Sequence, residues 1–239
     1  MATHHLKLIG KHLEYDDVAI LDFVSVDDKK IPFTPGQYMN LHVSMSSSDF
    51  GNSLSSRPYT IASAPSDTFL RFAIRKRGSF SSMLHELSNG TSVIADGPYG
   101  VLCPPLDSAP VICIAAGIGI APFMSWIRSL AADKENSRPI FVLVSNTAEF
   151  RAPFLKELIA LEKENVWLSV KSFLTKQSDS AEHPAMLRRI AIEDIKNVVL
   201  FAPDASIAIC GLSGFVLSMQ QAAQAANVPK ARILTEAFY

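Results

Sequence analysis

A glycine-rich turn near the middle of the chain has the composition of a phosphate-binding turn. The segment AAGIGIAPF, residues 115 to 123, follows the short apolar run VICIAA and opens a helical stretch with Pro122 in its first turn. Gly117 and Gly119 would let the backbone approach phosphate oxygens, and a helix start offers unpaired N–H groups. Because such turns also need glycine for packing alone, the turn predicts a pyrophosphate site only together with other features.

A second segment, RPYT, combines three side chains that suit a phosphorylated aromatic ligand. Arg57 offers a guanidinium to a phosphate, Tyr59 an aromatic plate and Thr60 a hydroxyl, with Pro58 between them. The alternative is an ordinary edge strand with an exposed arginine and tyrosine. These residue types alone leave both interpretations open.

The elements that must position these residues differ between the two halves of the chain. Up to about residue 102, short alternating runs such as VAILDFVSV and YMNLHVSM are separated by turn residues, which is typical of an antiparallel barrel or sandwich. Within this half we expect a strand over 68–75, a short helix over 81–87 and a loop over the Ser-rich residues 45–56.

The pattern changes after the proline-rich segment CPPLDSAP, residues 103 to 110. Beyond it, apolar runs (VICIAA, IFVLVS, VWLSVKSF, SIAICG) alternate with helical stretches (FMSWIRSLAADK, APFLKELIALEK, GFVLSMQQAAQAAN), which predicts a doubly wound parallel sheet. Such sheets bind ligands at the carboxyl ends of their strands.

Charge and composition exclude several classes of function. The 22 basic and 23 acidic side chains give a formal charge of −1, so no global field favours nucleic acid or an anionic membrane. The uncharged stretch 109–127 contains glycines and a proline and begins as a β-branched strand, which argues against stable membrane insertion. Three cysteines and six unclustered histidines predict no metal site, and we expect a reducing, cytoplasmic setting.

Taken in order, the motifs resemble those of the ferredoxin–NADP reductase superfamily over nearly the whole chain. The matching segments are PGQY at 35–38, RPYT at 57–60, GSFS at 78–81, GPYG at 97–100, the glycine turn at 117–122, and finally CG at 210–211 with EAF at 236–238. The resemblance implies a six-stranded antiparallel β-barrel that binds flavin, residues 1–104, followed by an NAD(P)H-binding α/β domain, residues 105–239. Since the three cysteines do not form a ligand set for a cluster, we expect no iron–sulfur domain in this chain, and the resemblance favours FAD over FMN.

The resemblance also implies roles for residues of the barrel. Arg57 would pair with a flavin phosphate, with Pro58 beside it on the same strand; Tyr59 would lie against the isoalloxazine, and Thr60 would hydrogen-bond near its hydride-accepting nitrogen. The remaining phosphate charge would be held at the start of the following helix, with added charge from Arg75. The helix-start residues are Gly78, Ser79, Phe80 and Ser81.

In the second domain the resemblance assigns the pyrophosphate to Gly117, Gly119 and Pro122. Cys210 would face the nicotinamide, with Gly211 beside it and Glu236 as its polar neighbour. An aromatic residue at the end of the chain would cover the flavin and move aside for the nicotinamide. Phe238 and Tyr239 both remain candidates for that ring.

Three residues depart from the family pattern. Ala116 replaces a glycine, Leu212 replaces a proline, and Asn146 stands where relatives carry an arginine that would contact a 2′-phosphate. The last departure favours NADH over NADPH. Lys171, Ser172 and Lys176 are the alternative contacts for NADPH.

The function implied is an NAD(P)H-dependent flavin oxidoreductase that passes electrons to a separate acceptor. Ferredoxin, flavodoxin, an oxygenase component and free flavin are the candidate acceptors, and the oligomeric state is left open. The alternative is a non-catalytic or regulatory electron-transfer subunit that retains the two-domain fold. Catalytic contributions are expected from Thr60, Cys210 and Glu236.

Overall fold

The structure is a computed structural model that describes residues 2–15, 17–47, 51–102, 109–177 and 183–238, and at 44–47 and 51–54 it describes the backbone only. The chain divides into two compact units. One comprises residues 1–103 together with Ala121–Ser129, and the other comprises the rest. The boundary expected at 104/105 falls in the segment 103–108, which lies outside the described residues, as does Cys103.

The first unit contains a six-stranded antiparallel sheet in the order β4-β3-β6-β1-β2-β5. Its strands are β1 Thr3–Tyr15, β2 Val18–Ser25, β3 Tyr38–Ser47, β4 Gly51–Thr60, β5 Leu70–Arg75 and β6 Ser92–Tyr99. An antiparallel bridge between Ile61 and Phe72 links the residue after β4 to β5, so the two ends of this order meet. The predicted antiparallel six-stranded barrel is thereby confirmed.

The barrel core is formed by the inward-facing residues of the strands. Leu6, Leu21, Met39 and Phe72 are fully buried in it. Helix α1 Ser79–Glu86 adds Phe80 and Leu84 to the same core. The helix starts two residues before the predicted position, and the Ser81 side chain accepts hydrogen bonds from the turn that precedes it.

The Ser-rich stretch 45–56 is largely strand rather than the predicted loop. β3 and β4 pair along it, with Ser46 opposite Asn52 and Ser47 opposite Gly51. Residues 48–50 lie outside the described residues. Cross-strand pairing therefore overrides the low strand propensity of serine and glycine.

The second unit is built on a six-stranded parallel sheet in the order β10-β9-β8-β7-β11-β12. The strands are β7 Val111–Ala116, β8 Ile140–Asn146, β9 Leu168–Leu174, β10 Ala185–Met186, β11 Ser206–Leu212 and β12 Ile233–Phe238. The helices that follow β7, β8, β10 and β11 are α2 Ala121–Ala132, α3 Leu155–Glu164, α4 Ile192–Phe201 and α5 Ser213–Ala225. This arrangement confirms the predicted doubly wound α/β fold.

The strand order places a switch point between β7 and β11. The chain moves outward from β7 through β8, β9 and β10, and then returns to the other side of β7. Ligands of open α/β sheets bind at such a point, beside the carboxyl ends of the strands. Ile112 and Ile114 of β7 and Ile207 and Ile209 of β11 fill the core beneath this edge.

The uncharged stretch 109–127 contains β7, a 3₁₀ turn at Gly117–Ile120 and the start of α2. Within the described residues, no helix has both the length and the apolar character needed to cross a membrane.

Candidate functional site

The segment Arg57–Thr60 lies at the end of β4, the first strand in the order of the barrel sheet. Tyr59 and Thr60 pair with Met39 and Tyr38 of β3. Arg57 and Pro58 are exposed, Tyr59 is half-buried and Thr60 is almost fully buried. Pro58 fits here because β4 pairs along its length with β3 alone, and the bridge that closes the barrel lies beyond it at Ile61, so this stretch of β4 is an edge where proline is tolerated. The strand thus presents a cation at the surface and carries the hydroxyl inward.

Arg57 and Tyr59 both contact Phe80 of α1. The rings of Tyr59 and Phe80 are stacked, with centroids 6.2 Å apart and planes inclined by 18°. The guanidinium carbon of Arg57 lies 5.7 Å from the centre of the same Phe80 ring. Burial raises the pKa of Tyr59 to about 12 against the opposing charge of Arg57, so its hydroxyl is protonated at neutral pH. These three predicted residues therefore form one cluster.

The turn before α1 is closed by the Ser81 side chain. Its Oγ accepts hydrogen bonds from the backbone amides of Arg77 at 2.8 Å and Gly78 at 3.1 Å, and it donates to the Gly78 carbonyl at 3.0 Å. The Ser81 hydroxyl is therefore engaged within the turn. The amides of the first helical residues, from Ser79 onward, have no intrahelical acceptor.

Open space lies beside this turn. A Cβ added to Gly78 would meet no other atom within 4 Å. Arg75, the other predicted phosphate contact, has its Nε 3.5 Å from a carboxylate oxygen of Asp17. Arg75 is therefore held by an ion pair at the end of β5, whereas the helix start itself is accessible.

In the second unit the sheet brings two predicted catalytic residues into one row. Cys210 of β11 pairs with Ala115 of β7 on one side and with Glu236 of β12 on the other. Cys210 is fully buried, and Glu236 is half-buried. Burial raises the pKa of the Cys210 thiol well above its usual range, with a further contribution from Glu236. Burial also raises the pKa of Glu236, so the environment favours the neutral form of both groups.

The glycine turn packs directly on the end of β11. A Cβ added to Gly119 would lie 2.4 Å from the carbonyl oxygen of Cys210 and 2.9 Å from the amide nitrogen of Gly211. Gly117 has a φ of +54°, which glycine adopts without a steric penalty. Pro122 occupies the first turn of α2, as predicted. Gly119 thus supplies close approach, and Gly117 supplies the unusual backbone conformation.

Gly211 is covered by two side chains, one of which the sequence analysis missed. A Cβ at Gly211 would meet Phe215 Cδ1 at 2.9 Å and Ala116 Cβ at 3.2 Å. The methyl group of Ala116 is accommodated because Gly211 has none, while Leu212 next to it is exposed. Phe215 had no signal in the sequence beyond its place in an apolar helical stretch.

The end of the described chain is held in the sheet. Phe238 pairs with Leu212, and its carbonyl oxygen accepts a hydrogen bond of 3.4 Å from the Ser213 hydroxyl at the start of α5. Phe238 is half-buried, and Tyr239 lies outside the described residues. The backbone of Phe238 is therefore fixed by these contacts, so its ring can move by side-chain rotation only, unless the strand pairing breaks.

Two buried polar side chains lie near the carboxyl ends of β8 and β9. Asn146 is 6% exposed and Ser172 is 4% exposed, and neither side chain has a hydrogen-bond partner for its buried polar atoms. Both lie on the same face of the sheet, since Asn146 pairs with Leu174 and Ser172 with Val144. Lys171, one position before Ser172 on β9, lies on the opposite face of the sheet, and Lys176 is exposed.

A polar cluster on the outer face of the barrel was also missed by the sequence analysis. Asp96 accepts a hydrogen bond from Asn40 Nδ2 at 2.9 Å and contacts His42 Nε2. His42, followed by Asn40, lowers the pKa of Asp96 to about 2. The residues are too far apart in sequence to form a recognisable motif. Across the described residues no group of three or more His, Cys, Asp or Glu side chains is placed to hold a metal ion.

Two family models match the chain in sequence order. An FAD-binding domain matches residues 15–102, and an oxidoreductase NAD-binding domain matches residues 113–221. These matches confirm the expected cofactor classes for the two halves of the chain.

Individual relatives cover the chain widely at low identity. The 2-halobenzoate 1,2-dioxygenase electron transfer component of Burkholderia cepacia is 30% identical over 186 residues, which is 76% of this chain and 52% of that protein. The chain spans about half the length of the curated relatives it matches.

Solved structures show the same fold. The flavohemoglobin of Malassezia yamatoensis with bound FAD and heme superposes with a TM-score of 0.85 at 26% identity, over 100% of this chain and 61% of that one. A ferredoxin NADP⁺ reductase from Neisseria gonorrhoeae with bound FAD and NADP superposes with a TM-score of 0.82 at 17% identity, over 100% of both chains.

Proposed function

Because this chain belongs to the ferredoxin–NADP reductase superfamily, we propose that it is a flavin-dependent oxidoreductase that moves electrons from NADH or NADPH to a separate acceptor. One observation carries the proposal. The same chain combines an accessible cationic strand and helix start on a barrel with a glycine turn packed on the Cys210–Glu236 row of a parallel sheet.

The barrel residues fit FAD. Arg57 is exposed beside the Phe80 ring, and the space beside Gly78 is open at the start of α1. A guanidinium and the free amides of a helix start are suitable partners for the two phosphates of FAD. Ser81 serves this site by fixing the turn, since its hydroxyl is engaged with the amides of Arg77 and Gly78.

Tyr59 and Thr60 would orient the flavin ring. Tyr59 is backed by the Phe80 ring, which keeps it flat against a planar ligand. Thr60 is 8% exposed at the end of the strand, and its hydroxyl would donate a hydrogen bond at the ring edge that receives the hydride. When bound, FAD supplies the conversion between a two-electron hydride and single electrons.

The sheet residues would hold the dinucleotide. Gly117 and Gly119 let the turn lie against β11, and the amides at the start of α2 suit the pyrophosphate. Cys210 and Glu236, both favoured in their neutral forms, would give the nicotinamide a neighbourhood of low charge that excludes water. Phe238, whose backbone pairs with Leu212, would be the aromatic residue that covers the flavin.

NADH is the preferred donor within this proposal. The buried Asn146 amide and Ser172 hydroxyl have unsatisfied hydrogen-bonding capacity that suits a neutral ribose hydroxyl, and Lys171 faces away from them. We expect 5′-AMP to compete with the donor better than 2′,5′-ADP does. Lys176→Ala should leave that order unchanged; a selective loss of 2′,5′-ADP binding in this variant would instead assign Lys176 to a 2′-phosphate.

The acceptor is a redox protein, either ferredoxin, flavodoxin or an oxygenase component, in preference to free flavin. Support comes from the relative named as an electron transfer component of a dioxygenase. Anaerobically reduced protein should pass electrons to a purified ferredoxin or to cytochrome c faster than to free FMN or FAD. The reverse order would assign the protein as a reductase of free flavin.

A visible spectrum tests the function as a whole. Purified protein should be yellow, release FAD on heating as identified by chromatography, and lose its absorption near the flavin maximum when NADH or NADPH is added without oxygen. A colourless protein that does not take up added FAD would favour the non-catalytic subunit. A yellow protein that neither dinucleotide bleaches would contradict the proposed donor.

A further inference from the structure

The four residues that follow the flavin strand form a fully enclosed segment. Ile61, Ala62, Ser63 and Ala64 are between 0% and 3% exposed. The Ile61 amide donates to the Gln37 carbonyl at 2.9 Å, and the Ala62 amide donates to the Arg71 carbonyl at 2.8 Å. The segment begins directly after Thr60, the last residue of β4, so its hydrogen bonds hold the backbone next to that residue.

Two carbonyl groups of this segment are bound by side chains of α2. The hydroxyl of Ser125, which is fully buried, donates to the Ser63 carbonyl oxygen at 2.6 Å. One helical turn further on, Nη1 of Arg128 donates to the Ala62 carbonyl oxygen. Residues three apart lie on the same face of a helix, so α2 holds two consecutive carbonyls of the segment at once.

The helix that carries these two side chains begins at the glycine turn. The 3₁₀ turn Gly117–Ile120 runs without interruption into α2 at Ala121. Ser125 and Arg128 belong to the same compact unit as the barrel, whereas the turn itself belongs to the other unit. The candidate dinucleotide turn is therefore followed directly in sequence by the helix whose side chains bind the segment after Thr60.

We propose that Ser125 and Arg128 are positioning residues that couple the two ligand sites through α2. This inference rests on the proposed function. Ordering of the glycine turn by a dinucleotide fixes the start of α2, and the two side-chain hydrogen bonds carry that restraint to the backbone beside Thr60. By linkage, FAD must then favour dinucleotide binding by the same factor as the dinucleotide favours FAD binding.

A purely structural role for these side chains makes a different prediction. Loss of a buried hydrogen bond would lower stability and weaken FAD binding to the same extent with and without dinucleotide. Coupling instead changes the ratio of the two FAD affinities. That ratio is the measurement that distinguishes the two roles.

The experiment titrates flavin-free protein with FAD, followed by quenching of flavin fluorescence, with and without saturating NAD⁺. NAD⁺ is chosen because the oxidised dinucleotide cannot reduce the flavin during the titration. In the parent protein we expect NAD⁺ to lower the FAD Kd by about fivefold or more, the usual range of allosteric coupling. In Ser125→Ala and Arg128→Gln the ratio should fall below about twofold.

Ser129→Ala is the matched control, because it removes a hydroxyl from the same helix at a position that is partly exposed. It should keep the parent ratio. If Ser125→Ala does not fold, Arg128→Gln decides, since that side chain is only partly buried. A parent ratio near one, or a parent-like ratio in the folded variants, would overturn the coupling while leaving the function intact. Absence of FAD binding to the parent would instead refute the proposed function.

Discussion

The barrel and the parallel sheet build their candidate sites from different materials. On the barrel, exposed or half-buried side chains project from an edge strand, and the helix start beside them has free space around Gly78. On the sheet, a glycine turn contacts backbone atoms of β11 directly, above a buried thiol and a half-buried carboxyl group. The barrel site therefore depends on the charged, aromatic and hydroxyl groups of its side chains. The sheet site depends on close contact between the backbones of the glycine turn and β11.

This difference predicts different responses to mutation. A site made of exposed side chains can lose one of them at a cost to ligand affinity alone. A site made of close backbone contacts has no space for an added atom, because protein interiors are close-packed. The barrel site should therefore separate binding from stability, and the sheet site should not.

The largest effect is expected from adding one methyl group to the sheet site. In Gly119→Ala the new Cβ would lie 2.4 Å from the Cys210 carbonyl oxygen, which is backbone and has no rotamer to change. We expect a loss of about 3 kcal/mol in the free energy of unfolding, with loss of dinucleotide binding. Thermal unfolding and NAD⁺ titration would measure both.

Gly78→Ala is the matched change on the barrel. Its φ of 176° is extended backbone that alanine also adopts, and no atom lies within 4 Å of the added Cβ. Its melting temperature should stay close to that of the parent. Equal destabilisation by the two substitutions would contradict the distinction between the two sites.

A binding loss without a stability loss is expected from Arg57→Ala. The guanidinium is exposed and contacts the Phe80 ring and the Ser56 carbonyl, so its removal leaves no buried group unpaired. A charge-assisted contact to a phosphate contributes about 1.5 to 3 kcal/mol, so FAD affinity should fall about 10- to 100-fold. Lys7→Ala removes one exposed positive charge from the same barrel and should leave the FAD Kd unchanged.

Acid should weaken the barrel through Asp96. The pKa of this carboxyl is lowered from 3.8 to about 2, first by the hydrogen bond with His42. A lowered pKa stabilises the fold above pH 4, and the contribution disappears as the pH falls towards 2. Because the pair is partly exposed, we expect at most about 1 kcal/mol between the parent and Asp96→Asn at neutral pH.

The comparison variant for this effect is Asp27→Asn. The pKa of Asp27 is also lowered to about 2, by Ser25 and then Lys29, but its carboxyl is on the open surface. Solvent screens that pair more strongly, so the difference in unfolding free energy between parent and variant should be smaller than for Asp96→Asn. Denaturant unfolding from pH 2 to 7 would show whether the order holds.

The smallest expected effect is on the parallel sheet, where stability should fall as the pH rises rather than as it falls. Burial raises the pKa of Glu236, so the folded protein favours the protonated carboxyl. The stability that the protonated Glu236 carboxyl contributes is fully present below its ordinary pKa of 4.5. It is lost as the pH rises through the higher pKa of the folded protein. Glu236→Gln should therefore become more stable relative to the parent as the pH rises. Denaturant unfolding of the parent and Glu236→Gln from acid to neutral pH would measure this trend, and a constant difference between them would contradict it.

The two sites also differ in how much of them could be predicted from the sequence. RPYT and GSFS contain the residues that contact one another on the barrel, because each motif lies on one regular element and these two elements pack together. Their role in binding flavin stays a prediction. The engagement of Arg75 with Asp17 was not predicted, since the pairing of β2 with β5 brings these two residues together.

The secondary structure was also predicted only in part. The apolar runs predicted strands β7, β8, β9 and β11, whereas α4 was not predicted. Its helical form is supported by Asp194, which accepts a hydrogen bond from the Ala191 amide at 2.8 Å and pairs with Arg188. The strand over 45–56 was missed because cross-strand pairing, rather than residue type, forms it.

The sequence by itself determined the order of the two domains and the residue types at each motif, because those features are local. The class of each cofactor came from the resemblance of the ordered motifs to a known family. Only the tertiary structure decided that Gly119 faces the Cys210 carbonyl, that Phe215 covers Gly211 and that Ser125 and Arg128 hold the segment after Thr60. These contacts join residues far apart along the chain. They depend on strand pairing and helix packing, which no local pattern encodes.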